Sequence, residues 1–479
     1  MSGTSTAAAS PFQAGGTRQD DGTPLPVRGP APGAALLLLD AALLAAGWAA
    51  LLAVADLPGD GLARALYPAS ALAGLYALGL YRRDMILATR AALGRLPLAV
   101  GFGGVGALLI LALLGARFGD QGRLFLAALG CGTVSGTLAR LGFRTLRRRG
   151  LFRRRLLILG AGRRAWDLVW VLGKEGRNLN YRMVFAHDPA LGEVDPRLAG
   201  GEVGPVVTVG GAGLLTLARR CGAEQIVVAP DERRGMNLDA LLQCKIAGFP
   251  VQPYLGFLET EIRRVDLKRM ELGWLLFSDG FRFGPIDRML KRALDLAVSL
   301  VLLALFAPIL LAAALAIRLD DGGPVLYRQE RVTRHGRVFA ILKLRTMRVD
   351  AERQGAVWAA SKDARVTRIG ALLRRTRIDE MPQLFNVLRG DMSLVGPRPE
   401  RPGFVAMLAE QLPLYRERHV VKAGLTGWAQ INYPYGASID DARSKLSYDL
   451  YYVKNFSILF DLLIIAQTVR VVLWPGGVR

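Results

Sequence analysis

The chain has 479 residues, 52% of them hydrophobic, and its 62 Lys plus Arg against 40 Asp plus Glu leave a formal charge of +22. The length admits two or three domains, and the charge points to an anionic partner. The apolar content favours a phospholipid or a phosphorylated substrate over nucleic acid. Three scattered cysteines and three scattered histidines argue against a disulfide framework, a zinc pattern and a Ser-His relay, and fit a reducing, cytosol-facing location.

Residues 1–30 are rich in Gly, Pro, Ser and Thr without periodicity and read as a disordered tail. The first apolar run begins too late, and is too long, for a secretory signal. Within residues 31–147, apolar runs at 34–55, 62–80, 93–116 and 124–143 approach the roughly 20 residues of a spanning helix, which predicts four spans. Arg18 and Arg28, then Arg82, Arg83 and Arg90, then Arg144 and Arg147 to Arg149 all fall on one side by the positive-inside rule. Asp56 and Asp60 fall on the other, so the chain beyond 147 is expected in the cytosol. No span carries a charged residue at its centre, which reads as a plain anchor rather than a transport path.

Residues 148–256 alternate β-rich runs (155–159, 182–185, 225–228, 250–254) with helical ones, the pattern of a small parallel α/β domain. Its first turn, Gly160-Ala161-Gly162-Arg163-Arg164-Ala165, matches the dinucleotide fingerprint, but no acid ends the second strand about 20 positions on. A structural glycine turn is the preferred reading, with nucleotide binding kept as the alternative. A connector, 257–288, contains the largely apolar stretch 271–281 with Trp274 in it.

The segment 289–318 opens with Lys291, Arg292 and Asp295 and continues as an apolar run with Pro308 near its middle. A full span would export the basic region that follows. The proline instead predicts a re-entrant helix broken into two arms, with a Pro-kinked span as the alternative.

In residues 319–479, alternation around Lys343 and Arg345 predicts a strand presenting both cations on one face. Further on, Arg374, Arg375 and Arg377 precede Asp379 and Glu380. Pro382 fits a first helical turn and Gly390 a helix end, so both acids lie at a helix N-terminus and are expected to stay ionised. Pro397 and Pro399 stiffen the turn that carries Arg398. Guanidinium groups grip phosphate bidentately, and a carboxylate amid them suits covalent phosphoryl chemistry, one acid attacking while its neighbour holds a divalent cation. Acids also favour helix starts for stability alone. The Gly424–Gly427 loop with Trp428 either stacks a base or packs, and the apolar stretch 456–474 lies on the membrane or on the core.

The ordered series Lys291-Arg292-x-x-Asp295, Pro308, Gly323-Pro324, Gln329-x-Arg331, Lys343-Leu-Arg345-Thr-Met, Arg374, Asp379-Glu380-x-Pro382-Gln383-Leu-x-Asn386, Gly390-Asp391-Met392-Ser393, Gly396-Pro-Arg398-Pro399 and Gly424-x-Thr-Gly427-Trp-Ala-Gln430 resembles the bacterial sugar transferases, the monotopic polyprenyl-phosphate phosphoglycosyltransferases. The likeness covers about 285–479. The four spans and α/β domain are similar to large members that initiate exopolysaccharide or O-antigen synthesis, and the 271–281 stretch is similar to the exosortase-associated branch. Arg377, Ile378, Met381, Thr333 and Ala307 depart from the usual pattern without touching the acid pair.

The resemblance implies a membrane-anchored α/β protein: a four-helix transmembrane bundle, a Rossmann-like parallel domain, a re-entrant helix and a small mixed α/β catalytic domain at the bacterial inner membrane. It implies transfer of a sugar 1-phosphate from a UDP-sugar to undecaprenyl phosphate, releasing UMP, without nucleic acid and with a homodimer possible. Asp379 is then the nucleophile and Glu380 the Mg²⁺ ligand, with Arg374 and Arg398 on phosphates. Lys343, Arg345, Gln383 and Asn386 are expected at the substrate, and Pro308 at the membrane turn. The rival readings are a tethered NAD-dependent nucleotide-sugar enzyme and a non-catalytic scaffold for polysaccharide assembly.

Overall fold

In the computed structural model of the chain, the described residues are 32–55, 57, 61–115, 118–149, 152–176, 180–209, 213–269, 280–281, 284–348, 365–434, 436 and 438–473. The expected tail 1–30, the connector stretch apart from Gly280 and Phe281, and Trp474 lie outside them. The chain forms two units, one of Arg155–Ala165 and Arg182–Gln252, the other of Pro30–Arg154, Trp166–Tyr181 and Pro253–Arg479.

In the larger unit the apolar N-terminal runs satisfy their backbone groups internally as helices. These are α1 (Pro32–Val54), α2 (Gly61–Ala77), the short α3 (Arg83–Leu87), α4 (Thr89–Leu113) and α5 (Phe118–Arg148). Helix α2 packs on α4, and α5 on both α4 and α1. Leu44, Leu75 and Leu96 fill the interior, while Leu38, Leu98, Leu113 and Leu126 are exposed, as on helices that face hydrocarbon. Among the described residues four helices are long and apolar enough to cross a membrane: Pro32–Val54, Thr89–Leu113, Gln121–Arg148 and Pro285–Asp320. The expected second span is thus the shorter α2, of 17 residues with Pro68 inside it. Two charges are buried toward one end of the bundle. Asp40 of α1 and Arg140 of α5, 1% and 4% exposed, pair at 2.9 Å, each supplying the counter-charge that permits the other's burial.

The smaller unit is built on a five-stranded sheet in the order β3-β2-β1-β4-β5, from β1 (Arg153–Leu159), β2 (Asn180–His187), β3 (Val206–Thr208), β4 (Gln225–Val228) and β5 (Val251–Pro253). β1 pairs with β4 and β2 with β3 in parallel. Helix α6 (Arg163–Glu175) follows β1 and falls mostly in the larger unit; of α7 (Pro196–Ala199), α8 (Gly213–Arg220) and α9 (Leu238–Ile246), α8 and α9 bury Leu214, Leu217, Leu241 and Cys244 with Leu157, Leu159 and Ile226 of the sheet. Fully apolar strand ends are what a parallel sheet requires.

The larger unit resumes with α10 (Tyr254–Ile262) and α11 (Pro285–Asp321). The helix runs through Pro308 as one element of 37 residues. The expected break leaves no gap in the helical run at Pro308, because a proline removes one i to i−4 hydrogen bond without ending a helix. The antiparallel pair β6 (Leu326–Val332) and β7 (Val338–Leu344) follows. Then come α12 (Arg368–Thr376), α13 (Gln383–Arg389), β8 (Ser393–Val395), α14 (Pro402–Gln411), β9 (Gly424–Thr426), α15 (Trp428–Asn432), α16 (Ile439–Lys454) and α17 (Ile458–Leu473). β8 and β9 pair in parallel. Their core joins Phe339, Ile341, Leu384, Val387, Trp428, Tyr452 and Ile464, so α17 packs on the core. It also touches the bundle: Gln467 Nε2 donates to Tyr76 Oη at 3.2 Å.

The start of α11 is locked onto this core. Lys291 pairs with Asp461 at 2.5 Å, and Arg292 donates to the carbonyl oxygens of Val387 and Leu388 at 2.6 and 2.7 Å. Asp295 Oδ1 accepts from Ser393 Oγ and from the Leu394 amide, both at 3.0 Å. The Lys-Arg-x-x-Asp motif is therefore a clamp between the long apolar helix and the core that carries α13, β8 and α17.

Candidate active site

The acid pair is presented by a sharp reversal. Helix α12 ends at Arg377, whose φ of 61° lies in the left-handed region, a conformation that costs a non-glycine residue about 1 kcal/mol. A single 3-10 turn, Ile378–Glu380, follows, Pro382 caps α13, and Gly390, with φ of 91°, closes it. Asp379 and Glu380 are thereby buried, 8% and 9% exposed.

Around Glu380 the cations converge. Its Oε1 accepts from Arg398 Nη2 at 2.8 Å and from Lys343 Nζ at 3.2 Å, while Arg377 Nη1 stands 3.9 Å from Oε2. Asp379 Oδ1 has no hydrogen-bond partner among the described residues. Arg374 donates from Nε to Thr346 Oγ1 at 2.8 Å, and its charge acts on Asp379.

The loop bearing Arg398 is held by its backbone. A Cβ at Gly396 would lie 2.3 Å from the Lys422 carbonyl oxygen, so only glycine lets this loop meet the neighbouring strand. Arg331 donates to the Pro399 carbonyl and Arg418 to the Arg398 carbonyl, both at 3.0 Å. Arg418 is itself buried and pairs with Asp449 at 2.7 Å.

These surroundings pull the two acids apart. Burial, then the charge of Glu380, raise Asp379 from 3.8 to about 6 despite Lys343, Arg377 and Arg374, so at neutral pH it is still mostly ionised. Burial alone would raise Glu380 as well, but Arg398, Lys343 and Arg377 outweigh it and hold the group well below the carboxylate range. Burial lowers Lys343, against the pull of Glu380.

Of the residues anticipated from the sequence, Asp379, Glu380, Lys343, Arg374 and Arg398 come together. Four others take other places. Arg345 donates from Nε to the Pro324 carbonyl at 2.7 Å and packs over Gly323, because it stands past the end of β7. Asn386 is fully buried and bridges strand backbone, accepting from the Leu342 amide at 2.9 Å and donating to the Ala340 carbonyl at 2.8 Å. Gln383 is buried in the first turn of α13, and Pro308 lies in α11. Trp428 packs edge-on against Phe460 and donates to the Arg263 carbonyl at 2.8 Å, which settles the glycine loop as packing. Arg418 and Asp449 gave no signal in sequence, since their pairing spans two elements.

In the smaller unit, the backbone amides of Arg163 and Arg164 donate to the two carboxylate oxygens of Asp231 at 2.7 and 2.8 Å. A Cβ on Gly162 would stand 2.2 Å from Asp231 Oδ2. The amides that would meet a pyrophosphate are thus filled by the chain's own acid, and the glycine turn serves that contact.

No cluster of three or more His, Cys, Asp or Glu suited to a metal occurs among the described residues. Magnesium, however, often binds through one or two carboxylates and completes its shell with water and phosphate oxygens. The unpartnered Asp379 Oδ1 and the Glu380 Oε2, beyond hydrogen-bond distance of Arg377, are hard oxygens that fit it.

An acid pair ringed by Arg and Lys, on a domain clamped to an apolar helix, defines a membrane-associated site for phosphoryl chemistry. Residues 286–475 match the family described as bacterial sugar transferase. An exopolysaccharide production protein PSS of Rhizobium leguminosarum bv. phaseoli is 46% identical over 190 residues, 38% of this chain and 95% of that protein. The chain belongs to the bacterial sugar transferase family.

Two further relatives are longer. A UDP-N-acetylgalactosamine-undecaprenyl-phosphate N-acetylgalactosaminephosphotransferase of Aeromonas hydrophila is 43% identical, covering 50% of this chain and 56% of its own. An undecaprenyl-phosphate glucose phosphotransferase of Komagataeibacter xylinus is 35% identical, covering 66% and 58%. The chain therefore spans between half and two thirds of the length of these two.

Proposed function

We propose that this chain transfers a sugar 1-phosphate from a UDP-sugar to undecaprenyl phosphate and releases UMP, with Asp379 as covalent nucleophile. The observation that carries the reading is the unpartnered Oδ1 of a buried Asp379 beside a Glu380 pinned by Arg398 and Lys343. Donor and acceptor are taken from the names of the relatives.

An Asp379 oxygen attacks the sugar-bearing phosphorus as the bond to the UMP oxygen breaks, leaving an acyl phosphate ester on the enzyme. An oxygen of undecaprenyl phosphate then attacks the same phosphorus, forming the diphosphate and returning the carboxylate. Dividing the exchange avoids seating two bulky polyanions together. Arg398, Arg374 and Lys343 neutralise the phosphate charge that accumulates. Bound Mg²⁺, held by Glu380 and Asp379, would add charge neutralisation on the diphosphate.

Both ends of α11 touch the same catalytic domain: Arg292 and Asp295 reach α13 and β8, while Ala313 and Ile317 pack with Leu344 and Leu373. Between them Leu300, Leu305 and Leu311 are exposed. This supports a re-entrant course that turns near Pro308 and returns to one face, the cytoplasmic face of the inner membrane by the basic-residue bias. The test is UMP release by the purified full chain with undecaprenyl phosphate and either UDP-glucose or UDP-N-acetylgalactosamine. Release with at least one donor is expected, and none with either, nor with other UDP-sugars, overturns the reading.

A further inference from the structure

Asp461 interrupts the apolar sequence of α17 and is 1% exposed. Its two oxygens are divided between two partners: Oδ2 accepts from Lys291 Nζ at 2.5 Å and Oδ1 from Tyr452 Oη at 2.7 Å. Tyr452, on α16, is as deeply buried. The Lys291 ammonium has three protons, and three acceptors stand around it: Asp461, Tyr452 Oη at 3.3 Å and the Val395 carbonyl oxygen at 3.1 Å. Tyr452 Oη lies 3.2 Å from that same carbonyl. Side chains of α11, α16 and α17 thus converge on one backbone oxygen.

Stability alone does not call for charges at this crossing. Burying an ion pair costs solvation, and apolar side chains of similar volume often pack there as well or better. What the charges add is direction, and Val395 is where direction counts. It ends β8, and Gly396, Pro397 and Arg398 follow it. Gly396 is pinned by its amide, which donates to the Thr426 carbonyl at 2.9 Å, and Pro397 has a fixed φ. So short and stiff a link passes a shift of the Val395 carbonyl on to the guanidinium that holds Glu380. One turn further along α11, Asp295 accepts from the Leu394 amide at 3.0 Å, so the same helix holds β8 at successive residues.

We infer that Lys291, Asp461 and Tyr452 are positioning residues for Arg398: by fixing the Val395 carbonyl, they hold the Gly396–Pro399 turn where Arg398 meets Glu380 and the donor's phosphates. The inference rests on the sugar-phosphate transfer proposed above.

The test compares the full-length wild type with Tyr452→Phe, with the apolar triple Lys291→Met/Asp461→Leu/Tyr452→Phe, and with Ile464→Ala, which thins the same core and removes no polar group. Melting curves, steady-state kinetics with undecaprenyl phosphate and UDP-glucose or UDP-N-acetylgalactosamine, and amide hydrogen exchange over residues 393–401 are measured on each. Tyr452→Phe should lower kcat about tenfold and the triple about a hundredfold, with KM for the UDP-sugar changing far less and exchange over 393–401 faster than in Ile464→Ala. The triple should nonetheless melt close to the wild type, whereas Ile464→Ala should melt lower and keep its kcat. A kcat in Tyr452→Phe and the triple no lower than in Ile464→Ala, or exchange over 393–401 no faster, overturns the inference. Absence of turnover by the wild type with every UDP-sugar overturns the transfer reading instead, and the exchange comparison then decides whether the three residues hold the turn.

Discussion

Arg418 donates from Nη2 to the carbonyl oxygen of Arg398 at 3.0 Å, so one buried guanidinium fixes the backbone of the residue whose own guanidinium holds Glu380. Tyr415 Oη at 2.8 Å and Asp449 at 2.7 Å complete its hold. Lysine cannot reproduce this fork. Arg418→Lys is expected to lower kcat on the order of a hundredfold by displacing Arg398, with KM for the UDP-sugar changed far less. Steady-state kinetics beside a melting curve checks this, and unchanged kcat in a folded variant contradicts it.

Adjacent acids should respond to neutralisation with opposite signs. Asp379 is raised to about 6 by burial and by Glu380, so the native state keeps its proton to higher pH than the unfolded chain does. Stability then falls as pH rises from about 4 to 6, and at pH 7 the penalty is on the order of 3 kcal/mol. Asp379→Asn removes it: Tm should rise by a few degrees at pH 7, the gain should shrink toward pH 4, and turnover should vanish. Wild-type turnover should also decline below about pH 6 as the carboxylate protonates. A lower Tm for the variant at pH 7 contradicts this.

Glu380 sits on the other side of the balance. Burial would raise it, yet Arg398, Lys343 and Arg377 hold it low, so its stabilisation is complete above its ordinary value and is lost as pH falls. Glu380→Gln leaves Lys343 and Arg398 uncompensated and should cost about 3 kcal/mol, visible as a Tm decrease at pH 7. A Tm equal to that of the wild type contradicts it.

Asn386 should behave as a structural clamp. Asn386→Ala strands the Leu342 amide and the Ala340 carbonyl, each penalised by about 1–3 kcal/mol when buried. A large Tm loss with KM for the UDP-sugar kept within about threefold is expected; unchanged stability with KM raised tenfold or more would falsify the clamp and restore a substrate role.

Local rules in the sequence anticipated local structure. Pro382 and Gly390 bracket a helix because each has one suitable place at a helix end, and the apolar runs became helices because hydrocarbon allows little else. What was illegible depends on partners distant in the chain. Asn386 sits in the motif of the acids, yet its amide meets β7, 44 positions away. Arg345 alternates with Lys343, but the strand ends between them and the guanidinium turns to Pro324. Asp40 and Arg140 lie 100 residues apart in runs that individually read as unbroken anchors. The dinucleotide-like glycines were real glycines with another purpose, the approach of Asp231.

The most direct test of the account is the fate of Asp379 when donor is supplied without acceptor. The full chain is mixed with UDP-glucose or UDP-N-acetylgalactosamine and Mg²⁺, quenched in acid, and its peptides are weighed. The account predicts a sugar-phosphate adduct on Asp379, UMP in stoichiometric amount, and loss of the adduct when undecaprenyl phosphate is added. UMP released only in the presence of lipid, with Asp379 unmodified throughout, contradicts it.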